Sequence, residues 1–144
     1  MMMQATPIPT VPWQRSRAAG PAAIRTARGL SAHASGHAAE DMAARAYADR
    51  DCILLEQCWR SPAGEIDLIL RDGEQIVFVE VKRAETHDAA AHRLSRRQMD
   101  RICQAALIFA DTLPQGSLTD MRFDAALVDA QGRVEILENA FGLN

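Results

Sequence analysis

Two short apolar segments that carry charged side chains constrain the fold of this chain more than any other feature. They read Gly64-Glu65-Ile66-Asp67-Leu68-Ile69 and Phe78-Val79-Glu80-Val81-Lys82. Successive side chains of a β-strand point to opposite faces, so Glu65 and Asp67 share one face of the first segment. Glu80 and Lys82 share one face of the second in the same way. If the two strands are neighbours, Asp67, Glu80 and Lys82 meet. That is the arrangement of a divalent-cation site with a lysine that can reach a phosphate or an attacking water.

The apolar residues between these charges predict the opposite face of the same sheet. That face is expected to contain Ile66, Leu68, Leu70, Val77, Val79 and Val81. Residues 76–81 have Glu80 as their only polar residue, which indicates a central strand covered on both sides, where an unpaired charge is costly. An alternating acid on a strand is nevertheless most often a solvated face, and an acid-x-lysine pair alone is common. The pattern leaves a functional site and a solvated face as equal alternatives.

Length, apolar content and cysteine usage bound the class of protein. The 144 residues suffice for one domain with an ordinary core. Apolar residues make up 48% of the chain, and no run approaches the roughly 18 consecutive apolar residues of a membrane span, so no membrane partner is expected. Cys52, Cys58 and Cys103 have neither CxxC spacing nor an even count, which argues against a disulfide framework or a zinc knuckle. Cys52 and Cys103 are expected to be small core residues in a reducing cytoplasm.

The formal net charge of −3 hides an uneven distribution. Residues 1–39 carry four arginines and no acid, so residues 40–144 hold 12 basic against 19 acidic residues. The exception lies in residues 82–101, where six basic residues outnumber three acids. The basic residues are Lys82, Arg83, Arg93, Arg96, Arg97 and Arg101. The five arginines are predicted to contact nucleic-acid phosphates, and a solvated helix start is the alternative.

The chain divides into a leader and one domain. Residues 1–35 lack a sustained apolar period and are predicted to be a disordered leader rich in Arg, Ala and Pro, and residues 36–144 are predicted to form the domain. His33 and His37 stand four apart and could share a helix face as metal ligands. Because the sequence around them offers no acid or cysteine partner, they are not expected to bind metal.

Periodicity and turn signals predict an order of elements α-β-β-β-α-β-β. Helices are expected from residue 36 to about 50 and from 95 to 113, and strands at 52–60, 65–70, 75–83, 122–128 and 134–137, with a polar loop at 84–94. Two tight turns among the first three strands imply an antiparallel meander. Ser95 and Gln98 are spaced as a capping box at the start of the second helix. Glu40 lies near the N-terminal turn of the first, where an acid compensates the helix dipole.

Five short motifs in this order resemble a known family. They are Gly36-His37-x-Ala39-Glu40, Gly64-Glu65-Ile66-Asp67-Leu68-Ile69, Phe78-Val79-Glu80-Val81-Lys82, Arg97-Gln98 and Arg122-Phe123-Asp124. Together they resemble the YraN-like family of uncharacterised bacterial proteins over residues 36–141. That family is similar to the restriction-endonuclease-like superfamily with a PD-(D/E)xK site. The resemblance implies an α/β fold with an αβββαβ core, in which a mixed central sheet is flanked by helices.

The resemblance also implies a role for individual residues. Asp67 and Glu80 match the acids that hold Mg²⁺ or Mn²⁺, and Glu40 matches the helix acid that completes the metal shell. Lys82 matches the catalytic lysine and Gln98 a polar residue from the second helix. The leading interpretation is a metal-dependent nuclease-fold protein that acts on DNA by phosphodiester hydrolysis, on branched or damaged structures, although membership of an uncharacterised family does not itself imply an activity.

Departures from the family pattern and rival functions remain open. Arg97 stands where the family often has a lysine, and the loop after Lys82 lacks an expected glycine. Gln98 is either catalytic or a helix cap, and Glu65 either supports the site or lies on the surface. The rival function is a nucleic-acid-binding or protein-interaction module without chemistry. A small-molecule enzyme ranks last, because no phosphate-cradling glycine loop is present. The oligomeric state is not predicted.

Overall fold

The computed structural model describes residues 31–142, with side chains from His37 onward. Residues 1–30 of the predicted leader and the His33 side chain lie outside this description. The elements in chain order are helix α1 (Ser31–Ala48), strands β1 (Ile53–Ser61), β2 (Gly64–Asp72) and β3 (Gln75–Arg83), helices α2 (His87–Ala91) and α3 (Arg96–Ala110), a 3₁₀ turn (Gly116–Leu118), and strands β4 (Met121–Val128) and β5 (Val134–Phe141). Helix α1 thus begins before the predicted start at Gly36.

The five strands form one sheet in the order β1-β2-β3-β4-β5. Strands β1 to β3 pair antiparallel, which confirms the predicted meander, and β4 pairs antiparallel with β5. Strand β4 lies parallel to β3, and parallel neighbours need a crossover connection. Helix α3 lies in that crossover. The predicted α/β class with an αβββαβ core and a mixed central sheet is confirmed.

Helices α1 and α3 cover opposite faces of the sheet. Helix α3 packs on a cluster that includes Ile69, Phe78 and Phe123. Helix α1 inserts Ala43 and Tyr47 into a second cluster. The strand residues of this second cluster include Leu68, Leu70, Val77 and Val79, as predicted. The layers place the central strand β3 between two helices, which explains its nearly unbroken apolar sequence.

Ile66 departs from the predicted face. It packs in the α3-side cluster with Ile69, whereas Leu68 belongs to the α1-side cluster. The strict alternation of β2 is therefore broken around Asp67. The β2–β3 pairing runs from Asp72–Gln75 only as far as Leu68–Val79, so this end of β2 is released from its neighbour and can rotate. The released end is where Glu65 and Asp67 lie.

The predicted polar loop at 84–94 contains a short helix, and this prediction was wrong for residues 87–91. Helix α2 is capped by Thr86, whose hydroxyl accepts a hydrogen bond from the Ala89 amide. Ala90 is fully buried in a small cluster with Ala125 and Leu127 of β4. Alanines among polar residues gave too weak a periodic signal for this turn of helix. Strand β5 also continues to Phe141 rather than ending at 137.

Within the described range, no helix combines the length and apolar character needed to cross a lipid bilayer.

Candidate active site

Three carboxylates from three elements form a row where β2 separates from β3. Glu40 comes from α1, Asp67 from β2 and Glu80 from β3. The Val81 amide donates to Asp67 Oδ2 over 2.8 Å. The Asp67 carboxylate therefore pairs with a β3 amide just beyond the end of the backbone ladder. Asp67 is the shared neighbour, because its charge contributes to raising the pKa of both Glu40 and Glu80, and the three acids are here called the acid row.

The acid row carries raised pKa values. Burial, followed by the charge of Asp67, raises the pKa of Glu80 to about 7. Burial also raises the pKa of Glu40 to about 7, although its hydrogen bond from Cys58 opposes the shift. The pKa of Asp67 is raised by burial as well, while the Val81 amide stabilises its ionised form. Burial therefore favours the protonated form of all three acids, and the backbone hydrogen bond partly offsets this effect for Asp67.

Two donors converge on one oxygen of Glu80. Lys82 Nζ lies 3.0 Å from Glu80 Oε2, and Gln98 Nε2 donates to the same oxygen over 2.6 Å. The side chains are largely buried, with 19% of Lys82 and 6% of Glu80 exposed, so solvent screens this pair weakly. The structure thus brings together all five residues predicted for the catalytic site: Glu40, Asp67, Glu80, Lys82 and Gln98.

Lys82 carries a further sequence signal. It is the only lysine in the chain, and the other 15 of the 16 basic residues are arginines. A lysine presents a compact point charge, whereas an arginine presents a planar fork, so the two are not interchangeable at a tight site. The retention of a lysine here, in a chain that otherwise uses arginine, supports a position with a strict geometric requirement.

The backbone and the side chain of Gln98 have different partners, and only the backbone takes part in the predicted helix cap. Its backbone amide donates to Ser95 Oγ over 3.0 Å, so Ser95 caps α3 as predicted. Its side chain instead donates to Glu80, and so is directed to the acid row rather than to the helix end. Glu65 is exposed, with Oε2 3.8 Å from Arg60 Nε. It adds a negative charge near Glu40 but does not join the row.

The five predicted phosphate-contacting arginines are all exposed. Arg96 and Arg97 occupy the first turn of α3, which has no acidic residue, directly before Gln98. Cations at a helix N-terminus oppose the helix dipole, so these two do not serve to stabilise the helix. Arg101 lies one turn further, next to Gly64 at the β1–β2 turn. Arg83 and Arg93 flank the α2 segment and are not brought into the acid row.

Cys58 and His37 join the site, which the sequence did not predict. The Cys58 thiol donates to Glu40 Oε1 over 2.8 Å, and His37 Nδ1 lies 3.5 Å from the same oxygen. The expectation that His37 lacks an acid or cysteine partner was therefore wrong. The spacing of His37 and Glu40, three residues apart on a helix, was the available signal. Cys58 comes from another element, and its approach depends on how α1 packs on β1.

In the motif Arg122-Phe123-Asp124, Arg122 and Asp124 form a structural network on the α1 side of the sheet, whereas Phe123 packs on the α3 side. Asp124 is fully buried and accepts hydrogen bonds from the Tyr47 hydroxyl at 2.7 Å, from Arg122 through Nε and Nη2 at 3.0 Å each, and from the Asn139 amide at 3.0 Å. Tyr47 lies on α1, and Asn139 on β5. The network therefore fastens a helix and an edge strand to β4.

The donor set of the acid row fits Mg²⁺ or Mn²⁺. These hard cations prefer carboxylate oxygens, and the row supplies three carboxylates, with Asp67 as the neighbour of both Glu40 and Glu80. Lys82 alone cannot neutralise three ionised acids in a largely buried site. Divalent charge would favour the ionised forms that burial disfavours. Glu40, Asp67 and Glu80 are the residues that would hold the ion.

The fold is that of an α/β protein with a restriction-endonuclease-like αβββαβ core. Comparison with known proteins places it more closely. Residues 39–128 match the Uncharacterised protein family UPF0102, and the chain belongs to this family, as the sequence motifs predicted. It is 53% identical over 113 residues to a UPF0102 protein of Cereibacter sphaeroides (strain ATCC 17025), covering 78% of this chain and 97% of the relative. It is 51% identical over 116 residues to a UPF0102 protein of Ruegeria sp. (strain TM1040), covering 81% and 94%.

Proposed function

We propose that the chain is a metal-dependent phosphodiesterase that cleaves DNA. The observation that carries this proposal is the acid row itself. Three carboxylates with one lysine are gathered in a largely buried place where their mutual repulsion is unfavourable. Clustered groups with strongly perturbed pKa values, placed beside a helix start where two strands separate, are typical of a catalytic site.

The residues divide the chemical work. A Mg²⁺ or Mn²⁺ ion held by Glu40, Asp67 and Glu80 would polarise a phosphoryl oxygen and lower the pKa of bound water. Lys82 supplies a positive charge that can stabilise the charge developing on the scissile phosphate. Gln98 fixes the orientation of Glu80 through its hydrogen bond. Lys82 Nζ shares Glu80 Oε2 with Gln98, so the orientation of the acid and the position of the ammonium are linked.

The start of α3 supports a nucleic-acid substrate. Its first turn carries two exposed arginines and the amides of a helix N-terminus, both of which favour anions. The next residue, Gln98, contacts the acid row. A phosphodiester backbone that lies along this turn would bring a phosphate toward Lys82.

The proposal includes a cytoplasmic location. The three cysteines among the described residues are free thiols, as expected in a reducing compartment.

The test is a cleavage screen with purified full-length protein. Linear, single-stranded, flapped and four-way-junction DNA are incubated with Mg²⁺ or Mn²⁺, and products are resolved on denaturing gels. We expect cleavage of at least one substrate, and we expect Lys82→Ala to lower the rate by roughly 100-fold or more while metal binding is retained. Lys82→Arg is the matched control, because it keeps the charge and changes only its shape.

Each alternative has its own outcome in this screen. A folded Lys82→Ala protein that cleaves at the wild-type rate would remove Lys82 from the mechanism. A wild-type protein that binds DNA and metal but cuts none of the substrates would instead support the non-catalytic nucleic-acid-binding module. Circular dichroism of each variant shows whether it is folded, which matters because loss of Lys82 leaves the buried acids less compensated.

A further inference from the structure

A second group of ligand-type side chains lies beside the acid row. His37 and Glu40 share one face of α1, and Cys58 approaches them from β1. Cys58 Sγ lies 2.8 Å from Glu40 Oε1 and 3.9 Å from His37 Nδ1, and the histidine nitrogen lies 3.5 Å from the Glu40 oxygen. An imidazole, a carboxylate and a thiol thus form a triangle. This donor chemistry differs from that of the acid row, which contains oxygen ligands alone.

The triangle has the size of one face of a tetrahedral metal site. Bonds of about 2.0–2.3 Å from Zn²⁺ to nitrogen, oxygen and sulfur put ligand atoms roughly 3.3–3.6 Å apart. The two distances to His37 Nδ1 lie near this range. The sulfur–oxygen distance is shorter because the thiol proton lies between the two atoms. When a cation replaces that proton, this edge lengthens by roughly 0.7 Å to reach the tetrahedral value.

The backbone of Cys58 holds its side chain in this position. Its φ of 55° is left-handed, a region that residues other than glycine rarely adopt. Cys58 lies between Gln57, which pairs with Leu68, and Trp59, which pairs with Ile66. The strained residue is therefore fixed on both sides by strand pairing. Strain of this kind persists only where the surroundings impose it, and it concentrates at functional sites.

We propose that His37, Glu40 and Cys58 bind a borderline transition-metal cation of the Zn²⁺ type. On binding, the Cys58 thiol loses its proton to solvent and the thiolate forms the bond to the metal. Neutral His37 binds through Nδ1, and Glu40 binds through Oε1. A water completes the fourth position, which is reachable because 37% of the His37 side chain is exposed.

The ligand chemistry separates this site from the acid row. Thiolate and imidazole select Zn²⁺, Co²⁺ and related ions, whereas Mg²⁺ and Mn²⁺ prefer carboxylate and water. Glu40 belongs to both groups, so occupation of the thiol site withdraws it from the row. The inference needs no DNA cleavage and stands whether or not the hydrolytic proposal holds.

The experiment uses Co²⁺ as a spectroscopic probe on the reduced full-length chain. We expect one Co²⁺ per chain, with a thiolate-to-cobalt charge-transfer band in the near ultraviolet that Zn²⁺ removes and excess Mg²⁺ leaves unchanged. Cys58→Ser should abolish the band. His37→Ala should keep it and weaken Co²⁺ binding by at least roughly 10-fold. Cys103→Ala is the matched cysteine control, because Cys103 is buried in the α3-side core.

Two results would overturn the inference. One is the absence of the band in wild-type protein, and the other is a band that survives Cys58→Ser. A second measurement covers the case in which Cys58→Ser does not fold. Zn²⁺ should protect Cys58 of the wild-type protein from alkylation, as read by peptide mass spectrometry. Alkylation of Cys58 at the same rate with and without Zn²⁺ would contradict the site without any variant.

Discussion

Two of the buried carboxylates of this protein, Asp124 and Glu80, are neutralised to different degrees. Asp124 is fully buried, and all its neighbours are donors: Arg122 grips both of its oxygens, and Tyr47 and the Asn139 amide complete the shell. Glu80 is almost as deeply buried, yet it adjoins another acid, Asp67, and has Lys82 as its ion-pair partner. The first region is here called the complete region, because both oxygens of its buried acid accept from donors, while Arg122 also pairs with the more exposed Asp72 and Glu138. The second is called the incomplete region, because its buried acid lies beside another acid.

The difference indicates what each region is for. A buried carboxylate whose oxygens are all satisfied contributes to a defined packing and has nothing left to offer a ligand. The Tyr47 hydroxyl, whose pKa is raised by burial and by Asp124, remains protonated and donates a further hydrogen bond within the network. The acid row retains unfavourable repulsion that a cation would relieve. Arrangements of residues that lower the stability of the fold are expected at functional sites.

The largest effect should come from breaking the complete region. Arg122→Ala leaves Asp124 buried without its main cation, and we expect the free energy of unfolding to fall by about 3–5 kcal/mol. The melting temperature should drop by roughly 10–20 °C. Urea denaturation and calorimetry measure this. Arg45→Ala, at an exposed position on α1, is the control and should change stability by less than about 0.5 kcal/mol. Equal effects of the two variants would show that the network is not structural.

A smaller effect on stability should appear when the pH is raised through the range in which the acid row ionises. The pKa values of Glu40 and Glu80 rise from 4.5 in the unfolded chain to about 7 in the fold, so the folded state holds more protons between these values. Stability must then decrease as the pH rises through this window. We expect a loss on the order of 2 kcal/mol between about pH 4.5 and pH 8 without metal. Thermal melting at several pH values measures it.

Asp67→Asn isolates the contribution of the row to this pH dependence. The amide oxygen can still accept from Val81, while the charge that raises the pKa of both neighbours is removed. The variant should be more stable than wild type at pH 8, and stabilisation by millimolar Mg²⁺ should be lost. Glu74→Gln, an exposed acid in the β2–β3 turn, is the control. Because burial is the larger cause of both raised pKa values, the pH dependence should shrink without vanishing, and an unchanged pH profile in Asp67→Asn would show that the charge of Asp67 does not contribute to it.

The sequence predicted the incomplete region better than the complete one, for a physical reason. Asp67, Glu80 and Lys82 were expected to meet because a tight turn joins two strands, and a tight turn fixes the pairing register. The bounds predicted for β3, 75–83, agree with the structure for the same reason, since its apolar run and flanking turn are both local signals. Local sequence signals were therefore sufficient to predict the fold class and the central residues of the site.

Contacts between elements that are distant in sequence could not be predicted from local patterns. The approach of Cys58 to Glu40, and of Tyr47 to Asp124, depends on how α1 packs across the sheet, which no local period encodes. Ile66 changed face because β2 leaves its ladder near Asp67. The roles predicted for Glu40, Asp67, Glu80, Lys82 and Gln98 stay predictions, although the structure brings these residues together.

The smallest effect concerns the surface that would bring DNA to the incomplete region. Arg96 and Arg97 oppose the dipole of α3, so replacing both by Ala should leave stability unchanged or raise it by a few tenths of a kcal/mol. If they contact phosphates, the same variant should bind DNA more weakly, and the slope of log K against log salt should fall by roughly two units. Fluorescence anisotropy over a salt series, in EDTA to prevent cleavage, measures the slope. Arg45→Ala removes an exposed arginine from the helix on the other face of the sheet and should leave the slope as it is. If both variants show the wild-type slope, α3 begins with a solvated turn, and the acid row must receive its substrate from another side.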